Sequence, residues 1–133
     1  RLEFAKRLVF NYAVGNADAH LKNSSLLYNE AWTGRRLAPM YDVTCIPLSG
    51  YSTRMPFDIG SHRELAEIDE RDIVAIALSC DVSLGAFDQA VREVVTGLEA
   101  PFFVAGDEAV ATMTEQVLAN AAPRIAVLRA YLG

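Results

Sequence analysis

From residue 63 to the C-terminus apolar side chains recur at helical spacing, and this pattern confines the second half of the chain to helix-on-helix packing. Asp69, Glu70, Arg71 and Asp72 supply an N-cap and an acidic first turn for a helix over Ile73 to Cys80. Ser83 is placed to cap a second helix carrying Leu84, Phe87, Ala90, Val91, Val94, Val95 and Leu98, with Gly97 its weak spot. Pro101 and Gly106 then punctuate the chain. Asp107 begins a third helix, which Pro123 restarts or kinks before Ile125, Val127, Leu128 and Tyr131 close the domain.

The first half is organised differently. Leu2, Ala5, Leu8, Val9, Tyr12 and Ala13 form one face of an amphipathic helix over residues 1–14, which Gly15-Asn16 ends. Asn16 to Asn23 is polar, and its short Asn and Asp side chains favour local hydrogen bonds over helix continuation, so a loop is expected. Residues 25–28 and 36–40 flank a polar stretch with a Gly turn signal at Gly34 and read as a short β-hairpin; at Pro39 the second strand either ends or has an open edge. Residues 42–62, with Pro47, Gly50, Pro56 and Gly60, read as a long ordered loop. Tyr28, Trp32 and Tyr41 are expected to pack the hairpin against the helices rather than to line a pocket, His62 to lie in a surface loop, and Glu64 to Asp72 to be a solvated helix start.

With 133 residues, 52% hydrophobic and 22% charged, the chain suits one globular domain or a large piece of one, whose core needs neither disulfide nor structural metal. Cys45 and Cys80 have no C-x-x-C partner and read as two reduced thiols. No apolar run reaches the ~20 residues of a membrane span, and no signal-peptide pattern opens the sequence, so a soluble cytoplasmic protein is expected. There is no initiator Met, and the helical pattern is already under way at Arg1, as expected for the C-terminal part of something longer. Charge is uneven: residues 1–54 hold seven Lys/Arg against four Asp/Glu, and residues 55–133 hold five against thirteen. The acidic body argues against direct nucleic-acid binding, whereas the basic first part suits a phosphate-bearing small molecule.

One stretch stands apart from packing logic. Gly15 to Asn23 (GNADAHLKN) places an acid, a His, a Lys and an amide within six positions, and Tyr41-Asp42-Val43 follows the hairpin. Phosphoryl transfer needs a carboxylate to orient the attacking hydroxyl, an amide and a second carboxylate to hold Mg²⁺, and a cation to offset developing charge. Asp18, Asn23, Asp42 and the pair His20 with Lys22 fit those roles in that order. Asp18 and Asn23 have the Asp-x-x-x-x-Asn spacing of a kinase catalytic loop, and the hairpin would return Asp42 to the same cleft.

Asn16 to Asn23, followed by Leu37-Ala38-Pro39-Met40-Tyr41-Asp42-Val43, resembles the catalytic and metal-binding signatures of the HipA family of bacterial serine/threonine kinases, the toxin component of HipBA-type toxin–antitoxin systems. The resemblance implies a mainly α fold, the C-terminal lobe of a protein-kinase-like fold: a helical bundle with a short β-hairpin next to the catalytic loop. Residues 1–62 would hold the helix, catalytic loop, hairpin and metal-binding loop, and 63–133 an all-helical subdomain, with the N-terminal lobe absent. It implies Asp18 as catalytic aspartate, Asn23 and Asp42 as Mg²⁺ ligands, and His20 as a catalytic or phosphate-contacting residue beside Lys22 as an ATP-phosphate contact. ATP and Mg²⁺ would be the cofactors, a protein Ser/Thr hydroxyl the acceptor, and a HipB-like DNA-binding antitoxin a partner. Two readings of another class stand beside it: a kinase-like module that binds nucleotide without chemistry, and a lobe that docks a partner through its acidic helices.

Overall fold

The computed structural model describes residues 1–100 and 107–133, so the Pro101 and Gly106 punctuation expected from the sequence lies outside the described residues. The elements run α1 (Leu2–Val14), β1 (Leu26–Tyr28), β2 (Arg35–Leu37), β3 (Arg54–Ile59), β4 (His62–Glu64), α2 (Glu70–Ser79), α3 (Leu84–Glu99) and α4 (Glu108–Leu132). Single 3₁₀ turns lie at Leu21–Asn23 and Ile46–Leu48. The described residues thus form a mainly helical bundle of four α-helices with two small antiparallel hairpins, β1–β2 and β3–β4.

Helix α1 lies against α3 and α4, and α2 and α3 also pack on α4. The shared core takes Ala5, Val9, Tyr12 and Ala13 from α1, Ile73 and Ile76 from α2, Phe87 and Val91 from α3, and Ala121 and Leu128 from α4. Burying a side chain such as Phe87 contributes about 1.5–3 kcal/mol, so this contiguous cluster supplies the main driving force for assembly. Phe87 meets Tyr131 edge to face, centroids 5.8 Å apart, and the Tyr131 hydroxyl donates to Asp88 Oδ1 at 2.6 Å. None of the described helices is long and apolar enough to cross a membrane.

Helix ends follow local chemistry. Asp69 caps α2 by accepting from the Arg71 and Asp72 amides, and Asp72 returns the bond to the Asp69 amide, completing a capping box. Ser83 holds the N-cap position of α3 without a side-chain cap bond. Pro123 does not restart the helix: it lies inside α4, which runs from Glu108 to Leu132. Pro123 and Ala119 both lie on its exposed face, where water can satisfy the carbonyl that Pro123 cannot bond.

Residues 42–62 are not one loop. Met55, Phe57 and Ile59 alternate with Arg54, Pro56 and Asp58, and Met55 and Ile59 enter the core as β3. Pro56 is tolerated because the ladder with β4 is irregular between Arg54 and Ile59. Helical structure consequently begins only at Glu70, after β4. The hairpin is fastened to α2 by Asp72, whose Oδ1 accepts from the Ser61 amide at 2.8 Å and whose Oδ2 lies 2.7 Å from His62 Nδ1. His62 is therefore a clasp residue, and Asp72, 5% exposed, is the buried end of the clasp rather than part of a solvated helix start. The bond to Asp72 raises the His62 pKa. Burial opposes ionisation of Asp72, but the Ser61, His62 and Asp69 hydrogen bonds outweigh it and hold the carboxyl below its usual value.

Candidate active site

The GNADAHLKN loop is displayed by the way α1 ends. Gly15 takes the left-handed conformation (φ 78°, ψ 29°), its amide bonds to Tyr12 O, and the Asn16 amide reaches back to Asn11 O at 2.8 Å. A side chain at Gly15 would stand 2.8 Å from Arg124 Nη2, so backbone conformation and space both demand glycine. Gly15 O then accepts from the Ala17 amide at 2.9 Å and the Ile46 amide at 3.1 Å, joining the loop to the segment beyond the first hairpin. Arg124 from α4 supports this junction, donating from Nε to Ala13 O at 3.1 Å and from Nη2 to Asn120 Oδ1 at 2.8 Å.

Burial alternates along the loop. Ala17 and Ala19 are 6% and 7% exposed, whereas the Asp18 and His20 side chains are each 57% exposed. The alanines anchor the loop to the bundle and turn the acid and the imidazole outward. His20 Nε2 lies 3.1 Å from Asp18 Oδ1, and Asn23 Nδ2 donates to Asp18 O at 3.0 Å. Asp18, His20 and Asn23 are thus brought together by contacts across the loop that leads into the 3₁₀ turn. Lys22 is held through its carbonyl alone, and its ammonium makes no ion pair among the described residues.

Asp42 reaches the neighbourhood through Tyr41. The Tyr41 hydroxyl donates to Lys22 O at 3.0 Å and, its one proton so used, accepts from Ser25 Oγ at 2.9 Å. The next residue, Asp42, is exposed with φ 55°, a left-handed conformation that Asp tolerates better than most residues. Its carboxylate makes no hydrogen bond or ion pair among the described residues. Arg7 fixes the approach from the other side, donating to Ala38 O at 2.6 Å just after β2.

Asp42, Asn23 and Asp18 offer only oxygen ligands, the donor chemistry a hard cation such as Mg²⁺ requires, and Asn23 has already committed its NH₂ to Asp18 O, leaving its Oδ1 available. Among the described residues no three His, Cys, Asp or Glu side chains converge as a metal cluster. A Mg²⁺ shell completed by substrate phosphates and water needs only one or two carboxylates, so the donor chemistry of these residues suits that ion. Of the three, only Asn23 and Asp18 are joined by a hydrogen bond among the described residues.

Two spaces adjoin the loop. Behind it, a small pocket of about 20 Å³ is lined by Arg7, Asn11, Asn16, Asn23 and Tyr41. That is room for about one water, at the ~10–15 Å³ each needs. Asn16, 2% exposed, donates from Nδ2 to Asn11 Oδ1 at 3.0 Å, while its own Oδ1 is buried without a partner. In front, Asp18 and His20 open onto a cleft of about 470 Å³ with Ile46, Tyr51, Ser52 and Arg54.

The sequence did not single out Tyr41 as a clasp, Arg124 as a support or Arg54 as a cleft residue. Tyr28 and Trp32 do not pack the hairpin on the helices; their rings stack on each other, centroids 5.0 Å apart, and both stay exposed, Trp32 by 75%.

Helical bundle, hairpins and displayed loop together define a kinase-like C-terminal lobe. The model of the HipA-like C-terminal domain family matches residues 1–102, and the chain belongs to that family. It is 36% identical over 98 residues to a Sinorhizobium fredii protein named "Putative kinase Y4mE", an overlap of 73% of this chain and 22% of that protein. It is 30% identical over 99 residues to "Putative kinase Y4dM" of the same organism, covering 74% of this chain and 24% of the relative. The matched region thus spans about a quarter of the length of these curated relatives. The fold is shared with a chain of the solved Shewanella oneidensis MR-1 toxin–antitoxin complex of HipA, HipB and its operator DNA: TM-score 0.68, 17% identity, 98% of this chain and 33% of that one.

Proposed function

We propose that this chain is the catalytic-loop and metal-binding part of a serine/threonine protein kinase, and that the full-length protein transfers the γ-phosphoryl group of ATP to a Ser or Thr hydroxyl of a protein. The observation that carries the reading is the loop itself: buried alanines turn Asp18 and His20 into an open cleft while Asn23 is tied to Asp18 O at 3.0 Å. Family membership supports it, as do the kinase names of the two relatives.

In this mechanism Asp18 accepts a hydrogen bond from the acceptor hydroxyl, orients it, and takes its proton as the new O–P bond forms and the bond to the ADP leaving oxygen breaks. Asn23 and Asp42 would hold Mg²⁺, which when bound would neutralise charge on the ATP phosphates. His20, held beside Asp18, donates toward the transferring group, and Lys22 adds positive charge nearby. The elements that grip the α- and β-phosphates are assigned to polypeptide outside these residues, an N-terminal lobe. Such an enzyme works in the cytoplasm, where Cys45 and Cys80, free thiols in this fold, stay reduced. A HipB-like DNA-binding antitoxin is the proposed partner, on the likeness to a chain of the complex of HipA, HipB and operator DNA.

The test is Mg²⁺-dependent transfer from ATP, autophosphorylation included, by the full-length protein beside its Asp18→Asn and Asp42→Asn variants. Both variants should fold and lose transfer. An unaltered rate in folded Asp18→Asn overturns the assignment, and nucleotide binding that ignores Mg²⁺ and gives no turnover favours a silent binding module.

A further inference from the structure

The cleft in front of the catalytic loop carries two opposite charges that do not meet. Asp18 is engaged with His20 at 3.1 Å, and Arg54, on the same cleft wall, is not within ion-pairing distance of it. Arg54 opens β3, with its amide donating to Ser52 Oγ at 3.3 Å and its Cα paired with Glu64 across the ladder. Cross-strand neighbours of opposite charge commonly pair. Here Glu64 Oε2 instead accepts from Thr53 Oγ1 at 3.2 Å, and among the described residues no carboxylate neutralises Arg54. On the same hairpin Arg63 is neutralised, its Nε lying 2.7 Å from Asp58 Oδ1. Ile46 and the largely exposed ring of Tyr51 add apolar surface to the same cleft.

We infer that this cleft is the acceptor subsite, and that Arg54 selects protein segments carrying an anionic side chain within a few residues of the acceptor Ser or Thr. The inference rests on the kinase reading, since it takes Asp18 as the pole that receives the hydroxyl. A segment whose hydroxyl sits at Asp18 can lay its neighbouring residues along the cleft that Arg54 also lines. The forked guanidinium suits bidentate contact with a planar carboxylate or with a phosphate already present on the substrate. A lysine at the same substrate position meets an unpaired cation and is disfavoured. Because Arg54 is solvent-exposed, its discrimination is modest, about three- to tenfold in KM.

The experiment uses the full-length protein and four peptides that share one acceptor serine and differ at a flanking position: Asp, phosphoserine, Asn or Lys. The KM for each peptide and for ATP is measured in wild type, Arg54→Gln and Arg54→Glu. Wild type should favour the Asp and phosphoserine peptides over Asn, and Asn over Lys; the order of the two anionic peptides tells carboxylate from phosphate selection. In Arg54→Gln the ratio of KM values between anionic and neutral peptides should collapse to about one, and in Arg54→Glu it should invert toward the Lys peptide. Retention of the wild-type ratio in both variants overturns the inference, as does a loss that falls on the KM for ATP equally with every peptide. Transfer that lacks an Arg54-dependent preference removes the subsite alone, whereas absence of Mg²⁺-dependent transfer by wild type removes the kinase reading and the subsite together.

Discussion

Replacing Arg124 with Met tests whether the far end of the chain holds the Gly15–Asn23 loop in place. Arg124 is 8% exposed, and its guanidinium donates to Ala13 O at 3.1 Å and to Asn120 Oδ1 at 2.8 Å. Ala13 O belongs to the last turn of α1, where carbonyls lack helical partners, and a cation there also answers the negative end of the helix. Methionine keeps the apolar stem and removes the donors. Hydrogen bonds to a charged group contribute about 1.5–3 kcal/mol each, so two make about 3–6 kcal/mol. Against this stands relief of a buried guanidinium that has no carboxylate partner among the described residues, an exchange that in other proteins has been neutral or stabilising. Burial lowers the Arg124 pKa, the sign expected of an incompletely compensated cation. We expect the hydrogen bonds to dominate, leaving a net loss of about 2 kcal/mol, or about 6–10 °C in Tm for a chain of this size. Thermal unfolding by circular dichroism gives the shift, and hydrogen exchange at the Asn16 and Ala17 amides reports on the loop. An Arg124→Met protein as stable as wild type, or more stable, would refute the reasoning and show that the guanidinium is a net cost.

Three further perturbations probe the same framework. Gly60→Ala places a Cβ 2.7 Å from Asp72 Cα at φ +60°, and should lower stability by about 1–3 kcal/mol, measured by urea denaturation; an unchanged midpoint would contradict the close approach. The raised His62 pKa makes the clasp stabilising below the unfolded value near ~6.5 and weaker as pH rises through the folded one; the lowered Asp72 pKa makes it stabilising above ~3.8 and weaker as pH falls through its folded one. His62→Gln should therefore flatten the alkaline side of the Tm against pH curve, and an identical slope in both proteins would count against the clasp. Tyr41→Phe removes the bond to Lys22 O, should cost about 1 kcal/mol, and should raise the Mg²⁺ concentration needed for transfer by the full-length protein, because Asp42 follows the lost tether; unchanged Mg²⁺ dependence would detach Tyr41 from the site.

What the sequence determined by itself was everything governed by neighbours within a few residues. The periodicity of α1, α2, α3 and α4, the Asp69 cap, the break at Gly15 and the β1–β2 hairpin are written in side chains that act on their own turn of backbone. The Asp18 and Asn23 spacing was legible for the same reason, since the contact between them, Asn23 Nδ2 to Asp18 O, spans only five residues. The second hairpin was hidden because Pro56 and Gly60 imitate loop punctuation and the three residues of β4 are all polar. Tertiary structure alone decided that Asp72 is buried against His62, that Arg124 crosses 111 positions to reach Ala13 O, and that Arg54 faces the same cleft as Asp18. Each depends on which surfaces meet once the helices collapse on their shared core. A charged side chain carries no local mark of whether it will find water, a carbonyl or a cleft when that happens.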